Sequence, residues 1–447
     1  MTDTAEAGAA QPQTQLLRTC GTLLLFFFIV GDTLGAGIYT LVGTMAADVG
    51  GMLWLPLVIA LVVALLTAGT YAEMITKYPH AGGAARYTER AFGVPYPTFV
   101  VGFFMLSSGI TTSAALANAF SGDYLAALVD VPAVPVTVVF LLLLIAVNLR
   151  GVRESLTANA VMSVIEVSGL VLVIVVAAIV FGSGEGDPAR ILTPSPDQPI
   201  LAGAFAASIV AFFSFLGFEA AANMAEEVKD PTRSYPRALF GAIITAAVVY
   251  LLIALGAAIV VDPATLATSS GPLLEVITAS GIAIPQWLFA TIALIAIANG
   301  TLLFMVMASR ATYGLAEAGL LPSVFGRVAP TRRTPWVAII VVGLATIGMS
   351  FVGNTGQLAD TTVLLLIVVF IATNVSCLML RNDRVGHDHF TVPKIVPVLA
   401  IIASIVLLTQ QSGTVWAISL GYLAVGTVLY FLARFSRRRL DRDPRPA

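Results

Sequence analysis

The sequence predicts an all-α integral membrane protein that crosses the bilayer many times. Of its 447 residues, 58% are hydrophobic and 11% are charged, whereas charged residues make up about a quarter of a typical soluble domain. The mean hydropathy is +0.94. The apolar residues form continuous runs of up to about 25 residues, the length of a membrane-spanning helix. An outer-membrane barrel would instead show alternating segments of about ten residues.

Charge, cysteine content and motifs disfavour several functional classes. The net charge of −2 gives no basic field that would hold nucleic acid. The two cysteines, Cys20 and Cys377, have no metal-ligand spacing. The sequence has no phosphate-binding loop, zinc motif or Ser/His/Asp arrangement, so we expect no metal, no cofactor and no enzyme activity. A channel is disfavoured because no filter-like motif is repeated.

Glycine, proline and charged residues divide the apolar sequence into twelve candidate spans. The spans cover about residues 21–46, 52–76, 97–120, 133–149, 157–181, 200–224, 237–261, 285–309, 335–352, 361–380, 394–410 and 414–433. Residues 1–20 form a cytoplasmic tail without the basic segment of a signal peptide. Residues 434–447 form a basic C-terminal tail.

The positions of the basic residues predict the orientation of these spans. If the N-terminus is cytoplasmic, every Lys and Arg except Arg190 falls in a cytoplasmic loop or tail. If the count were wrong by one span, the basic residues would be divided between the two sides of the membrane. The positive-inside rule therefore supports twelve spans with both termini in the cytoplasm. The expected location is the cytoplasmic membrane.

Two spans have glycines at mid-depth that favour a break in the helix. Gly31, Gly35 and Gly37 lie in the middle of span 1, and Gly217 lies in the middle of span 6. Each of these spans opens a group of five, and the two groups run in opposite directions. This pattern is typical of an inverted repeat whose discontinuous helices form a binding site at the midplane. The alternative is that the glycines only permit close helix packing, which either cluster alone would favour.

A break in span 1 would place complementary charges close together. The N–H groups that begin the outer half near Gly37 can hold a carboxylate. The carbonyl groups that end the inner half near Asp32 and Thr33 can hold an ammonium group or a metal cation. A zwitterionic amino acid fits these two ends.

Three carboxyl groups lie deep within the predicted spans, on Asp32, Glu166 and Glu219. No Lys or Arg lies at a comparable depth, and a charge at a helix centre costs at least about 2.5–3.5 kcal/mol. Each acid therefore needs a partner, a proton or water. We expect coupling or gating roles for them. For Glu219 a structural role at the broken backbone stays open, and for Glu166 a neutral acid packed between helices does.

Five segments resemble motifs of a known family. They are GAGIY (35–39), YPHAGGAARYTERAFG (78–93), GVRES (151–155), FSFLGFEAAANMAEEVKDPTRSYPRAL (213–239) and ASRATYGLAEAGLLPSVFGRV (308–328). They are similar to the helix 1 glycine motif, the loop after helix 2, the turn before helix 5, the helix 6 motif and the segment after helix 8 of the amino acid–polyamine–organocation permeases. The resemblance extends to the amino acid permease and cationic amino acid transporter branch.

The resemblance implies the LeuT-type fold. Residues 21–181 would form a first five-helix repeat, residues 200–380 an inverted second one, and residues 394–433 two additional helices. Helices 1 and 6 would be discontinuous.

The resemblance also implies which residues contact a ligand. The α-carboxylate would lie against amides of helix 1 and the α-ammonium against carbonyl groups of helices 1 and 6, with Phe213 as an aromatic lid. The implied set is Asp32, Thr33, Gly35, Ala36, Gly37, Ile38, Ser107, Ser108, Thr111, Phe213, Phe215, Leu216, Gly217, Phe218 and Asn299.

The sequence departs from the family at one position. Proton-coupled members often carry a lysine on helix 5, whereas this sequence has Glu166 at or near that position. We hypothesise that Asp32 and Glu166 attract a cation, which is a proton, a metal ion such as sodium, or an amine.

These expectations together describe a secondary active transporter. It would move amino acids across the membrane by alternating access, coupled to an ion, expected to be a proton, or by exchange. A polyamine or another organic cation is the alternative substrate, because the buried acids have no buried basic partner. An intramembrane enzyme is a weaker alternative, since no catalytic His, Cys pair or metal cluster lies at depth.

Overall fold

A computed structural model describes residues 21–79, 82–150, 153–196, 198–225, 228–330, 332 and 334–442. For residues 153–160, 223–224 and 436–442 it describes the backbone alone. The tail predicted over residues 1–20 lies outside the described residues, as do residues 151–152 of the GVRES motif and the last five residues of the basic tail.

The described residues form helices joined by short loops. The helices are α1 Thr22–Thr33, α2 Gly37–Val49, α3 Trp54–Lys77, α4 Gly83–Phe92, α5 Pro95–Phe120, α6 Asp123–Ala126, α7 Ala133–Arg150, α8 Arg153–Ser183, α9 Ile200–Ser214, α10 Pro231–Val260, α11 Pro263–Thr268, α12 Pro272–Ala279, α13 Gln286–Glu317, α14 Trp336–Ser350, α15 Thr355–Met379, α16 Ile395–Thr409 and α17 Gly413–Arg442. Short 3₁₀ turns cover Pro188–Leu192, Phe218–Met224, Ser323–Gly326 and Leu380–Asn382.

Within the described ranges, eight of these seventeen helices are each long and apolar enough to cross a bilayer, and there are nine such spans if α1 and α2 are counted as one bent span. Three further apolar helices, α9, α14 and α16, have 15 residues each, which corresponds to about 22 Å against a hydrocarbon core of about 30 Å. The fold is that of a multi-span membrane protein.

The central helix of the bundle is α5. It packs along α13, α14 and α15. Small residues permit the close approach, since a Cβ atom on Gly109 would lie 2.9 Å from Cβ of Ala308 on α13. Buried hydroxyl groups fasten α5 to α15, with Thr111 and Thr362 sharing a hydrogen bond of 2.7 Å. Such small and hydroxyl-bearing residues are typical of helix interfaces in membranes, where apolar surface alone gives no preference for protein over lipid.

Glycines bring the backbones of α2, α9 and α11 into close contact. A Cβ atom on Gly43 of α2 would lie 2.5 Å from the carbonyl oxygen of Leu266 on α11. On α9, Gly203 lies directly against the carbonyl group of Asp48 at the end of α2. These three helices therefore form one closely packed unit.

The basic end of the bundle, where α3 ends and α15 ends, is held by a polar network. Arg381 donates hydrogen bonds of 2.7 Å to both carboxylate oxygens of Glu73, whose side chain is 1% exposed. The backbone N–H of Val392 donates a third, at 2.8 Å. The network joins α3 to the segment between α15 and α16.

A second, more exposed pair lies beside this network. Asp383 accepts hydrogen bonds from the Tyr78 hydroxyl group at 2.7 Å and from Arg90 at 2.9 Å. The Tyr78 hydroxyl group and the Arg90 guanidinium hold the pKa of the Asp383 carboxyl below its usual range. This pair connects α4 to the end of α15.

Candidate functional site

Two interrupted helices meet in the interior of the protein. The helix α1 ends at Thr33 and α2 begins at Gly37, with a bend of 47° between them. The helix α9 ends at Ser214, and a 3₁₀ turn begins at Phe218. The chain therefore leaves α-helical geometry at both of the glycine segments found in the sequence.

The two breaks are in direct contact through Gly217 and Asp32. Gly217 has φ +118°, and a Cβ atom at this position would lie 3.0 Å from the carbonyl oxygen and 3.1 Å from Cγ of Asp32. Only glycine adopts this backbone conformation without strain and leaves room for Asp32. The break in α9 can therefore lie against the break in α1 because residue 217 lacks a side chain.

A tyrosine from α10 links the two breaks. The hydroxyl group of Tyr250 is hydrogen-bonded to the carbonyl oxygen of Thr33 at the end of α1, and to that of Ser214 at the end of α9, the latter at 2.9 Å. Its ring packs edge-on against Phe215 at 5.4 Å. A phenol has one proton to donate, so the two carbonyl groups share one donor.

The acids at the breaks have different surroundings. Glu219 is 5% exposed, and its carboxylate accepts a hydrogen bond of 3.0 Å from the backbone N–H of Gly217. It therefore caps the break of its own chain segment. Asp32 is partly exposed and borders a cavity, and it lies close enough to Glu219 for their charges to repel.

The cavity beside the breaks has a volume of about 20 Å³, which is enough for one water molecule. This is well below the volume of small-molecule sites, about 300–1,000 Å³, so the structure shows the site in a nearly closed arrangement. Its lining residues are Asp32, Thr33, Gly35, Ala36, Gly37, Leu116, Phe213, Ser214, Leu216 and Phe304. Seven of these ten, all except Leu116, Ser214 and Phe304, belong to the set implied by the family resemblance.

Close contacts determine the walls of the cavity. The ring of Phe213 lies against Gly37, since a Cβ atom there would be 3.3 Å from the ring. On α13, a Cβ atom on Gly300 would lie 3.3 Å from both Ala36 and Leu116. Because residues 37 and 300 have no side chain, the space next to the start of α2 stays open.

Other residues of the implied set lie away from the cavity lining. Ile38, Phe215 and Phe218 are fully buried, and Phe218 stacks on Phe370 of α15. On α5, Thr111 is bonded to Thr362 and Ser108 to the carbonyl group of Met105. The α5 residue that borders the cavity is Leu116.

Glu166 and Asn299 lie between α8 and α13. Each is 2% exposed. The Asn299 amide donates to the hydroxyl group of Ser163 at 3.4 Å, and the hydroxyl group of Tyr39 donates to the backbone carbonyl group of Glu166 at 2.5 Å. Among the described residues, Oε1 of Glu166 and Oδ1 of Asn299 have no hydrogen-bond partner.

The side-chain oxygens of Thr33 and Ser214, at the breaks, also lack a partner in the described structure, as does that of Ser107 on α5. Buried polar atoms are nearly always paired, and an orphan beside a cavity marks a group that water or a ligand can satisfy. Within the same described ranges, no group of three or more His, Cys, Asp or Glu side chains is arranged to hold a metal ion.

Tyr250, Gly300 and Phe304 were not predicted from the sequence to form part of this site. A signal for Tyr250 exists, because it is the one phenol in the long apolar run of α10, and a buried tyrosine hydroxyl group needs a partner. The partners are backbone carbonyl groups at breaks distant in sequence. Sequence spacing does not reveal them.

The sequence was compared with known protein families, and it matches one of them. Residues 21–432 match the family described as amino acid permease. The chain belongs to the amino acid permease family. It is a membrane permease and not an enzyme, and its resemblance to the amino acid–polyamine–organocation superfamily is confirmed.

Several named transporters are similar over long stretches. The methylthioribose transporter of Bacillus subtilis is 28% identical, with 97% of this chain and 96% of that protein covered. The branched-chain amino acid permease BcaP of the same organism is 24% identical, with 96% and 95% covered. The vacuolar cationic amino acid transporter 4 of Arabidopsis thaliana is 30% identical over 82% of this chain and 64% of that protein.

Proposed function

We propose that this permease is a secondary active transporter that moves amino acids across the cytoplasmic membrane by alternating access. Its energy would come from an ion gradient, with a proton as the expected ion and sodium as the alternative, or from exchange. The three short apolar helices would also cross the membrane, giving twelve spans in a 5+5 inverted repeat with two additional helices. The basic end would face the cytoplasm, and spans 1, 2, 6 and 7 would rock against spans 3, 4, 8 and 9.

The observation that carries this proposal is the contact between the two broken helices. The first N–H groups of α2 have no preceding helical turn to bind, and they follow the end of α1 by a few residues. An amino acid would place its carboxylate on the amides of Ala36, Gly37 and Ile38. Its ammonium group would lie against carbonyl oxygens near Thr33 and Leu216.

The carbonyl groups of Thr33 and Ser214, which Tyr250 binds, can still accept a hydrogen bond from a ligand. A carbonyl oxygen accepts two hydrogen bonds, and one phenol proton shared between Thr33 and Ser214 leaves acceptor capacity on both. The hydroxyl groups of Thr33 and Ser214 have no partner in the described structure, and both residues line the cavity. An ammonium group has three donors and would satisfy such a set.

The three acids within the apolar helices are the proposed coupling and gating groups. Asp32 borders the cavity, Glu219 caps the neighbouring break, and Glu166 lies between α8 and α13 with a partnerless oxygen. If Asp32 and Glu166 bind the coupling ion, Asp32→Asn and Glu166→Gln transporters will lose the dependence of uptake on pH or sodium. Dependence identical to the parent in both variants would remove them from the coupling step.

Uptake into proteoliposomes tests the substrate class. The panel contains arginine, leucine and alanine, together with putrescine and methylthioribose, each as competitor and as labelled substrate. We expect at least one amino acid to be transported, and Asp130→Asn, an exposed acid, to behave as the parent does. A parallel thermal-shift screen reports binding directly, since a ligand at a hundred times its Kd stabilises the folded state by about 2.7 kcal/mol.

A polyamine or another organic cation is the second candidate. The observation in its favour is the proximity of Asp32 to Glu219, because two acids without a basic partner suit a ligand with more positive charge than a neutral amino acid. Competition by putrescine without competition by any amino acid would decide for it. Transport of methylthioribose alone would exclude both candidates.

A further inference from the structure

Asp360 on α15 is an acid that the proposed transport site does not use. It lies about one and a half turns from the start of α15, at the end of the bundle opposite the basic network. Its Oδ1 atom is completely enclosed and has no hydrogen-bond partner among the described residues. The residue as a whole is partly exposed, so it is this one oxygen that is withdrawn from water, and an enclosed oxygen without a partner disfavours the ionised form.

The face of α15 that carries Asp360 meets α2. One turn earlier, Gly356 lies against Thr44, with 3.2 Å between a Cβ atom placed on Gly356 and Cγ2 of Thr44. Residues four apart share a helix face, so Asp360 and Gly356 lie on one side of α15, and Thr44 and Asp48 on one side of α2. Asp48 is the neighbouring acid whose charge acts on Asp360.

Among the side chains that the structure describes, no basic group is placed to neutralise Asp360. Of the helices that pack against α15, α9 and α16 carry no titratable side chain. The other titratable groups on α15's neighbours lie on five helices: Tyr39 and Asp48 on α2, Tyr71, Glu73 and Lys77 on α3, Arg86, Tyr87, Glu89 and Arg90 on α4, Tyr96 on α5, and Tyr422, Tyr430, Asp441 and the basic residues from Arg434 onward on α17.

The basic members of this set lie at the far end of α15. Arg381, which binds Glu73 of α3, follows Asp360 by 21 residues, or about 30 Å along a helix. Within the described part of the chain, Oδ1 of Asp360 is therefore left without a partner. Oδ1 is enclosed although the residue is partly exposed, so a proton fits at this atom in this arrangement, whereas a hydrated metal ion or an amine does not.

We propose that Asp360 is a proton-binding site of the outer gate. The carboxylate takes up one external proton when α2 packs against α15, and the carboxylic acid releases it to external water when α2 moves away. This site rests on the proposed function in one respect, namely that the α2 end of the bundle opens during transport. Outer closure is then favoured by low external pH, since the closed form binds one proton more than the open form.

Labelling from outside tests this proposal without a substrate. The reporter is Thr44→Cys in a chain whose own cysteines are replaced by Cys20→Ser and Cys377→Ser, treated with a membrane-impermeant maleimide in right-side-out vesicles. Thiols react faster as pH rises, so each rate is divided by that of an exposed-loop reporter, Glu185→Cys, at the same pH. One linked proton changes the open-to-closed ratio by up to about tenfold per pH unit.

We expect the normalised rate to rise with increasing pH in the parent and in Asp360→Glu. In Asp360→Asn, whose amide cannot lose a proton, it should stay low at every pH. Asp48→Asn is the matched control and should retain a pH dependence. The same dependence in Asp360→Asn as in the parent, or no labelling of Thr44→Cys at any pH, would overturn the proposal.

Counterflow of labelled substrate in the same vesicles separates the two proposals. If Asp360 controls labelling but no amino acid or amine exchanges, the transport function is wrong and the proton site stands. If substrates exchange and Asp360→Asn labels with the parent's pH dependence, the proton site is wrong and the transport function stands.

Discussion

Single residues determine whether the two broken helices can meet. Gly217 has a positive φ and no room for a side chain beside Asp32. Tyr250 then joins the ends of α1 and α9 through one hydroxyl group. The sequence predicts the first of these features, because a mid-span glycine is visible. It does not predict the second, because the partners of Tyr250 are main-chain atoms 36 and 217 residues away.

Replacing Gly217 by alanine should damage the site severely. The substitution forces a strained backbone conformation that costs about 1–3 kcal/mol, and it pushes a methyl group against Asp32. We expect a lower melting temperature and loss of substrate binding, measured by thermal shift with and without ligand.

The matched control is Gly31→Ala, in the same broken span. A Cβ atom at Gly31 meets nothing within 4 Å, so this variant should fold and bind as the parent does. If Gly217→Ala also bound substrate with unchanged affinity, the close contact of the two breaks would not be needed for the site.

Replacing Tyr250 by phenylalanine should uncouple the two breaks while the ring stays in place against Phe215. It leaves two buried carbonyl groups without their donor, at a cost of about 1–3 kcal/mol. We expect reduced substrate affinity in addition to reduced stability, measured as a change in KM and in Tm.

Tyr124→Phe supplies the comparison for this prediction. Its hydroxyl group donates to the carbonyl group of Tyr39 at 2.6 Å, away from the cavity lining. The control should lose similar stability and keep the parent's KM. Equal changes of KM in both variants would show that Tyr250 acts only through general stability.

At the scale of helices, hydropathy predicts where the apolar segments lie but not where they are interrupted, and it is the mid-span glycines that predict the interruptions. The run over residues 200–224 reads as one span, yet α9 ends at Ser214 and a 3₁₀ turn follows. Hydropathy averages over the break, while the break depends on Gly217 and on a carboxylate that caps its N–H group. The network at the basic end was likewise not foreseen in detail, since Glu73 and Arg381 are 308 residues apart.

Replacing Arg381 by leucine should destabilise the basic end strongly. It leaves the fully buried Glu73 without its partner, and breaking a buried ion pair in this way costs about 3–5 kcal/mol. A chemical or thermal unfolding series in detergent measures the loss.

Two comparisons give this prediction its specificity. Arg90→Leu removes the partner of Asp383 from a pair whose side chains are 53% and 32% exposed, and such pairs contribute about 0–1 kcal/mol. The double variant Glu73→Leu, Arg381→Leu should recover part of the loss, because no buried charge is left unpaired. Equal losses for Arg90→Leu and Arg381→Leu would contradict the assignment.

At the scale of the whole molecule, composition and charge placement determine most of what the sequence predicts. A multi-span membrane permease follows from apolar runs and family motifs, and the family match over residues 21–432 confirms the class. Substrate identity does not follow, because the cavity is bordered largely by backbone groups and apolar side chains. Backbone atoms are the same in every sequence, so they leave little trace of what they bind.

The orientation of the whole molecule can be measured with two loop reporters. In the cysteine-free background, Glu185→Cys should react with an impermeant maleimide added to intact cells, and Ser323→Cys should react only after permeabilisation, because positive charge retains a loop in the cytoplasm. Both positions are exposed. The reverse labelling pattern would invert the proposed topology.

The glycine contacts that join α2, α9 and α11 have a mechanical consequence. A helix whose backbone touches two neighbours without intervening side chains cannot tilt alone, because tilting would separate or collide main chains that have no compliant atoms between them. If that end of the bundle opens during transport, as proposed, it therefore opens as a slab of several helices. An antibody fragment that binds α11 from the surface would then slow turnover without entering the substrate cavity.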